Sequence, residues 1–424
     1  MTKLENVTVA DAAWFRAPEV RAVFACLNRE GFEVRAVGGA VRNALLDEPV
    51  MDVDFATTAK PDDTLRLAAA AGIKTVPTGI DHGTITLVVD GVPFEVTTLR
   101  RDVDTDGRRA TVAFADNWAE DARRRDFTLN ALYADAAGAV YDPLDGLPDL
   151  LARRVRFVGD ADTRIREDYL RILRFFRFSA DYANGDFDAD GVAAAIRERH
   201  GLRRLSAERV RAEMLRILVT VRAPDAIRVM DESGLLLIVL GGIARRSRFE
   251  RIAAIEAELE MMPDPMYRLA ALSIFVEEDA ERLAGRLRLS NDERNDLMGL
   301  ASVAPWFRAP LGKRDLETLL YRIGARTYLG SVLIGWAASG APLDDGAWRF
   351  AAELPREWQR PKFPVNGADL LNEGWLPGPG LGAHLRYLEE RFIASGFTLD
   401  REALLALEER NARPNGVAGS KPGT

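Results

Sequence analysis

Asp52 and Asp54, two carboxylates one residue apart, are the side chains of this sequence best suited to holding divalent cations. In strand-type backbone alternate side chains share a face, so such a pair repels itself unless a cation lies between the two. Carboxylate oxygens are the hard ligands that divalent metals take. Upstream, the short apolar run Val34 to Val37 reads as a buried strand that ends at Gly38-Gly39. Two missing Cβ atoms where a strand turns into a helix let an anionic ligand approach backbone N–H groups closely. Arg42, one turn further on, adds a positive charge suited to a phosphate. Taken singly, a Gly-Gly is a tight turn and an Asp-x-Asp is a solvated pair. In the order strand, Gly-Gly, Arg, helix, Asp-x-Asp, they point to a nucleotide-plus-metal site.

The elements that must position these residues are legible nearby. Residues 7–30 read as a lead-in helix, with Val20, Val23, Phe24 and Leu27 at helical spacing. Pro61 opens a helix through Ala71 that Gly72 ends, and strand-like runs come after it at Ile73–Pro77, Thr84–Val89 and Val92–Leu99. Asp90-Gly91 between the last two is a two-residue hairpin signal. The expectation is an α+β chain: a head with a mixed, partly antiparallel sheet, followed by an all-helical remainder. Glu95 is a charge inside an apolar-rich strand; by itself it reads equally as an edge acid facing water or as a third carboxylate for the metals. Residues 101–118, with Asp102, Asp104, Asp106, Gly107, Arg108 and Arg109, lose periodicity and read as a mobile polar loop.

At 424 residues the chain has room for several domains. No apolar run approaches the roughly 20 residues of a membrane span, and the acidic N-terminus lacks the pattern of a signal peptide. One cysteine, Cys26, on an apolar helix face, predicts a reduced, cytoplasmic protein. With only His82, His200 and His384 beside it, zinc is excluded as a partner. A net charge of −8 argues against a chain that coats nucleic acid indiscriminately. Between Leu151 and Phe178, however, eight arginines face four acids, a local basic surface that suits a selective anionic partner.

Further motifs match known patterns. Residues 38–54 resemble motif A of the DNA-polymerase-β-like nucleotidyltransferases, in particular the class II tRNA CCA-adding enzymes and bacterial poly(A) polymerases, except that Asn43 stands where the family usually has Asp. Arg124-Arg125-Asp126-Phe127-Thr128-Leu129-Asn130-Ala131 matches motif B, which implies that Arg125 and Asp126, with Asn130, hold ribose and phosphates. Residues 141–150 fit the connector, motif C, read as a hinge. Glu167 to Phe178 matches motif D and reads as one helix with an apolar stripe of Tyr169, Ile172, Leu173 and Phe176. Asp168, Arg171 and Arg174 then step along a neighbouring face, and local salt bridging is the plain alternative. The resemblance implies instead that Asp168 and Arg171 pair with the base edges of CTP and ATP, with Arg174 and Arg177 on phosphates or positioning Asp168. Asp offers only acceptors and Arg a planar donor fork, so together they mimic a complementary base edge. Residues 205–214 resemble motif E, with Ser206 as N-cap and a bracing role. The resemblance also favours Glu95 as third carboxylate, after His82-Gly83-Thr84, and gives the loop at 101–118 to enzymes that add the terminal A.

Together the motifs imply a template-independent nucleotidyltransferase using Mg²⁺ held by Asp52 and Asp54, with Glu95, to add CCA from CTP and ATP to a tRNA 3′ end. Poly(A) synthesis and silent RNA binding are the alternatives. The expected organisation is a catalytic head (1–150), a base-reading neck (151–220), a helical body (221–355), an RNA-binding tail (356–410) and a disordered end (411–424). Body helices are expected at 224–233, 249–261, 265–276, 290–304 and 314–323. Glycine-marked helix starts near 367 and 379 are candidate RNA-phosphate contacts.

Overall fold

The structure is a computed structural model that describes residues 2–102, 112–115, 117–305, 307 and 311–407. Most of the expected mobile loop and the expected disordered end therefore lie outside the described residues. Contacts divide the chain into two units: residues 1–246 with 285–289, and residues 247–284 with 290–424.

The first unit opens with β1 (Thr2–Thr8), then α1 (Ala13–Arg16) and α2 (Pro18–Leu27), which buries Val20, Val23, Phe24, Cys26 and Leu27. The expected single lead-in helix over 7–30 is thus two helices, and only its first two residues belong to the strand, which pairs antiparallel with β10 (Ala139–Asp142). Between them come β2 (Val34–Val37), α3 (Gly39–Leu45), β3 (Asp54–Thr57), α4 (Pro61–Ala70), β4 (Lys74–Gly79), β5 (Thr84–Val89), β6 (Val92–Thr98), β7 (Arg100–Asp102), β8 (Val112–Phe114), α5 (Trp118–Arg123) and β9 (Tyr133–Ala134). Eight strands form one sheet in the order β1-β10-β9-β2-β3-β6-β5-β4. Only β3 and β6 run parallel within it. The mixed sheet is as expected. Asp90 (φ 49°) and Gly91 (φ 86°) make the hairpin turn between β5 and β6. Val37, Ala56, Leu99, Trp118, Ala122, Ala131 and Tyr133 form a cluster that seats α5 and the residues after it on the sheet.

Helices complete this unit: α6 (Gly146–Leu151), α7 (Ala161–Glu167), α8 (Leu170–Tyr182), α9 (Ala189–Glu198), α10 (Ala207–Leu218), α11 (Ala223–Glu232) and α12 (Leu235–Leu240). Aromatic packing ties these helices to the segment after α5: Phe127 lies 5.0 Å from Phe157 and 5.2 Å from Phe178, centroid to centroid. The expected hinge at 141–150 is anchored. Asp142 accepts from the N–H groups of Leu144, Gly146 and Leu147, and Thr128 Oγ1 donates to buried Asp149 at 2.7 Å. A Cβ on Gly146 would sit 2.3 Å from the Thr128 carbonyl oxygen, so only glycine fits.

The second unit is helical as far as it is described. Its long helix, Lys313–Ser339, is broken at Gly324 (φ 77°), where the sequence pattern for 314–323 stops. Buried Glu256 and Arg268 pair at 2.6 Å. Helices start at Gly367 and Pro379 as expected, but Asn366 and Asp369 cap the first reciprocally, so its end amides are already satisfied. No described helix is long and apolar enough to cross a membrane.

Candidate active site

Asp54 is the first residue of β3, opposite Val37 of β2. The parallel register with β6 pairs Phe55 with Val96, which sets Asp54 beside Glu95 on the neighbouring strand. Adjacent strands lie about 4.8 Å apart, so the two carboxyl groups share a face. Asp52 precedes the strand, which corrects the expectation that both aspartates lie within it. Desolvation raises the Asp54 pKa above the ordinary carboxylate value, and the charges of Glu95 and Asp52 push the same way while Arg125 opposes. Asp54 is open to water at its rim, but its carboxyl is crowded by protein. Among the described residues no three His, Cys, Asp or Glu side chains close around a metal-sized point. The donor set still fits a divalent cation: oxygen ligands only, and a carboxylate whose neighbours disfavour its charge unless a cation compensates.

Gly38 (φ 71°, ψ −119°) turns β2 into α3. A Cβ there would lie 3.7 Å from both Arg125 Nη1 and the Asn130 carbonyl oxygen, so this backbone and the Arg125 guanidinium are direct neighbours. Gly39 starts a helix of only seven residues, a weak source of dipole. Arg42 is buried, 6% exposed, and four of its five N–H groups are committed. Nε and Nη2 donate to Asn43 Oδ1 (3.0 and 2.8 Å), Nη1 to Asn130 Oδ1 (2.5 Å) and Nη2 to the Tyr182 hydroxyl (2.7 Å). Burial lowers its pKa; Tyr182 and the charge of Asp126 oppose the drop and the charge of Arg177 adds to it. One Nη1 hydrogen remains for a phosphate, fewer than the sequence suggested. Asn43, the departure from the family pattern, accepts from Arg42 and donates from Nδ2 to the Pro49 carbonyl at 2.7 Å. An aspartate could not make that second bond, which ties α3 to the segment leading to Asp52.

Motif B is no helix face. Arg124 and Arg125 follow the end of α5, Phe127 bridges to Phe157, and residues 128–130 form a short 3₁₀ turn. Arg125 donates from Nη2 and Nε to Asp121 Oδ2 (3.2 and 3.3 Å) and from Nε to the Tyr133 hydroxyl (3.1 Å), while Tyr133 donates to Asp121 at 2.7 Å. Burial would raise the Asp121 pKa, but the Arg125 and Arg124 charges and the Tyr133 hydroxyl hold it down at about 2. Asp126 is also buried. It accepts from Arg174 Nε and Nη2 (2.8 and 2.5 Å) and from Asn130 Nδ2 (3.0 Å); against burial, Arg174 keeps its pKa low.

Motif D is two helices. α7 stops at Glu167, Asp168 is extended (φ −152°, ψ 105°), and α8 starts at Leu170. The expected continuous helix is corrected accordingly, and Asp168 shares no helix face with Arg171 and Arg174. Its Oδ1 accepts from the Leu170 N–H at 3.1 Å and its Oδ2 from Arg209 Nη2 at 2.6 Å. Arg171 pairs with Glu167 at 2.5 Å and donates to the carbonyls of Arg164 and Arg124. Among the described residues its Nε and one Nη2 hydrogen stay uncommitted. Arg177 pairs with buried Glu213 of α10 at 2.7 Å. Ser206 caps α10 by position only, since its hydroxyl makes no cap bond. Sequence reasoning missed Asp121, Tyr133, Tyr182 and the partner roles of Arg209 and Glu213. Only Asp121 left a local trace, three and four residues before two arginines.

Residues 34–156 match the family profile described as Poly A polymerase head domain, and residues 188–245 the profile described as probable RNA and SrmB-binding site of polymerase A. The mitochondrial CCA tRNA nucleotidyltransferase 1 of Mus musculus is 34% identical over 388 residues, covering 89% of this chain and 87% of that protein. The chain belongs to the CCA-adding enzyme family. A CCA-adding enzyme of Latilactobacillus sakei is 31% identical, with 88% of this chain and 93% of that protein covered. Among solved structures of CCA-adding enzymes, that of Bacillus stearothermophilus in complex with CTP superposes with a TM-score of 0.68 at 27% identity, over 92% of this chain and 96% of that one. The Thermotoga maritima CCA-adding enzyme complexed with tRNA_CCA has a TM-score of 0.66 at 18% identity, over 94% of this chain and 98% of that one, a likeness of fold.

Proposed function

We propose that this chain adds C, C and A to the 3′ end of tRNA from CTP and ATP, without a nucleic-acid template and with release of pyrophosphate. The observation that carries the chemistry is Asp54 beside Glu95 on parallel strands, with Asp52 just ahead, next to Gly38 and Arg125. Asp52 and Asp54 would hold the metal, which we assign as Mg²⁺, with Glu95 as third ligand. Bound there, Mg²⁺ supplies a lowered pKa for the attacking RNA 3′-hydroxyl and a counter-charge for the departing pyrophosphate. Arg125, fixed by Asp121 and Tyr133, faces the phosphates, with Gly38 and Gly39 letting them approach and Arg42 adding charge from beneath.

The base is read from the neck. Asp168 presents acceptors to the exocyclic amino group of C or A, and the uncommitted N–H groups of Arg171 face the ring acceptors. Uracil and guanine reverse that pattern and would leave buried groups unpaired, at about 1–3 kcal/mol each. Arg174 supports Asp126 and Arg177 supports the neck, both through ion pairs. The lone, buried Cys26 suits a reducing compartment, and we assign the cytoplasm, although the mouse relative carries a mitochondrial name.

Incubation of tRNA transcripts lacking CCA with CTP and ATP tests the assignment. Addition of three nucleotides, dependent on both substrates, is expected; long A tails or indifference to CTP would overturn it.

A further inference from the structure

Five side chains close a hydrogen-bonded ring that leaves helix α8, crosses the head and returns to the same helix. Arg174 donates to Asp126 Oδ2 (2.8 and 2.5 Å), and Asn130 Nδ2 donates to Asp126 Oδ1 (3.0 Å). Arg42 Nη1 donates to Asn130 Oδ1 (2.5 Å), and Arg42 Nη2 to the Tyr182 hydroxyl (2.7 Å). Arg174 and Tyr182 stand just over two helical turns apart, about 12 Å along the axis. Phe178 lies between them, with the guanidinium carbons of Arg42 and Arg174 each 5.2 Å from its ring centre. Arg42 also covers the Tyr182 ring at 4.1 Å.

Near its start α8 is already tied by the Arg171 bond to the Arg124 carbonyl and midway by Phe178 on Phe127; the ring adds Arg174 and, at the far end, Tyr182, which together hold the rotation and slide of the helix. Arg171 sits in the first turn of α8 and Asp168 two residues ahead of its start. Any movement of that helix therefore displaces the base-reading pair relative to Asp54 and Arg125. Four members of the ring belong to the matched motifs. The fifth, Tyr182, is the last residue of α8 and lies beyond them. Among the described residues its hydroxyl is the hydrogen-bond acceptor that closes the ring at that end, because Arg42 spends its other bonds on Asn43 and Asn130.

We propose that Tyr182 is a positioning residue for nucleotide selection, holding the base-reading end of α8 in register with the metal-binding strands through Arg42. This rests on the function assigned above. Tyr182→Phe keeps the ring and its stacking on Arg42 but deletes the hydroxyl. Single-nucleotide addition to a tRNA transcript lacking CCA gives kcat/KM for CTP and for UTP. The CTP-over-UTP ratio should fall about tenfold in Tyr182→Phe, and further in Tyr182→Leu, with a melting temperature lowered by no more than a few degrees in the phenylalanine variant. Tyr328→Phe removes a more deeply buried hydroxyl, bonded to the Ala351 carbonyl at 3.0 Å in the other unit, and should leave the ratio unchanged. A wild-type ratio in both Tyr182 variants, an equal loss for CTP and UTP, or the same fall in Tyr328→Phe would overturn the proposal. A wild-type protein that incorporates neither nucleotide would instead remove the functional assignment beneath it.

Discussion

Replacing Asp121 by asparagine tests whether Arg125, which we propose faces the nucleotide, depends on a buried carboxylate that makes no chemistry of its own. Asp121 is fully buried and serves Arg124, Arg125 and Tyr133 at once. Its pKa is held down at about 2 against an ordinary 3.8, which favours the charged form by about 2 kcal/mol. Removing one partner of a buried ion pair strands the other, at about 3–5 kcal/mol; Tyr133 remains on Arg125 and offsets part of that. The expected loss is therefore about 2–4 kcal/mol, read as a lower urea midpoint for the transition of the first unit. Because the folded-state pKa is depressed, folding favours the charged form. The contribution is complete above about pH 4 and fades as pH falls towards about 2. The gap between wild type and variant should narrow over that window. Arg125 would also lose its orientation, raising KM for CTP more than it lowers stability-corrected kcat. A change below about 0.5 kcal/mol, or a gap constant from pH 7 to pH 3, would refute the reasoning.

Two further outcomes concern α8. Desolvation pushes the Asp181 carboxyl up to about 6, against Arg177 and Arg42, with Glu213 adding to the rise. The folded state then holds the proton more tightly than the unfolded chain, so stability falls as pH rises from about 4 to about 6. Asp181→Asn should be more stable than wild type above that window by about 1–2 kcal/mol after screening, and equal to it below; denaturation midpoints that differ equally at pH 4 and pH 8 would contradict this. Arg171→Ala should blur the choice between CTP and UTP in the extension assay by at least about tenfold, and unchanged selectivity would remove its base-reading role.

How much of this the sequence carried depended on how local each determinant was. The β5–β6 hairpin was legible because Asp90-Gly91 dictates the turn and alternation dictates the strands. Glu95 was placed through the family resemblance, and the strand register then set it beside Asp54. The strand at Thr2–Thr8 was missed because Thr-Lys-Leu-Glu-Asn-Val-Thr alternates poorly, and its order comes from pairing with β10, more than 130 residues away. The break at Asp168 was hidden for the opposite reason: the apolar spacing of Tyr169, Ile172, Leu173 and Phe176 runs on as if one helix continued. The extended backbone there goes with long-range ties, Asp168 to Arg209 and Arg171 to the Arg124 carbonyl. The sequence announced Arg42 as a phosphate cation, whereas folding surrounds it with Asn43, Asn130 and Tyr182. Residue type and spacing carried the chemistry; which partner each charge would find depended on chain crossings that no local pattern encodes.

The central claim is that Asp54, Asp52 and Glu95 gather divalent cations beside a nucleoside triphosphate. Asp54→Ala, assayed with a tRNA transcript lacking CCA, CTP, ATP and magnesium, is the most direct measurement of it. The account predicts that incorporation of both C and A drops by at least about a thousandfold while affinity for the transcript stays within about twofold. Incorporation at near wild-type rate would contradict it.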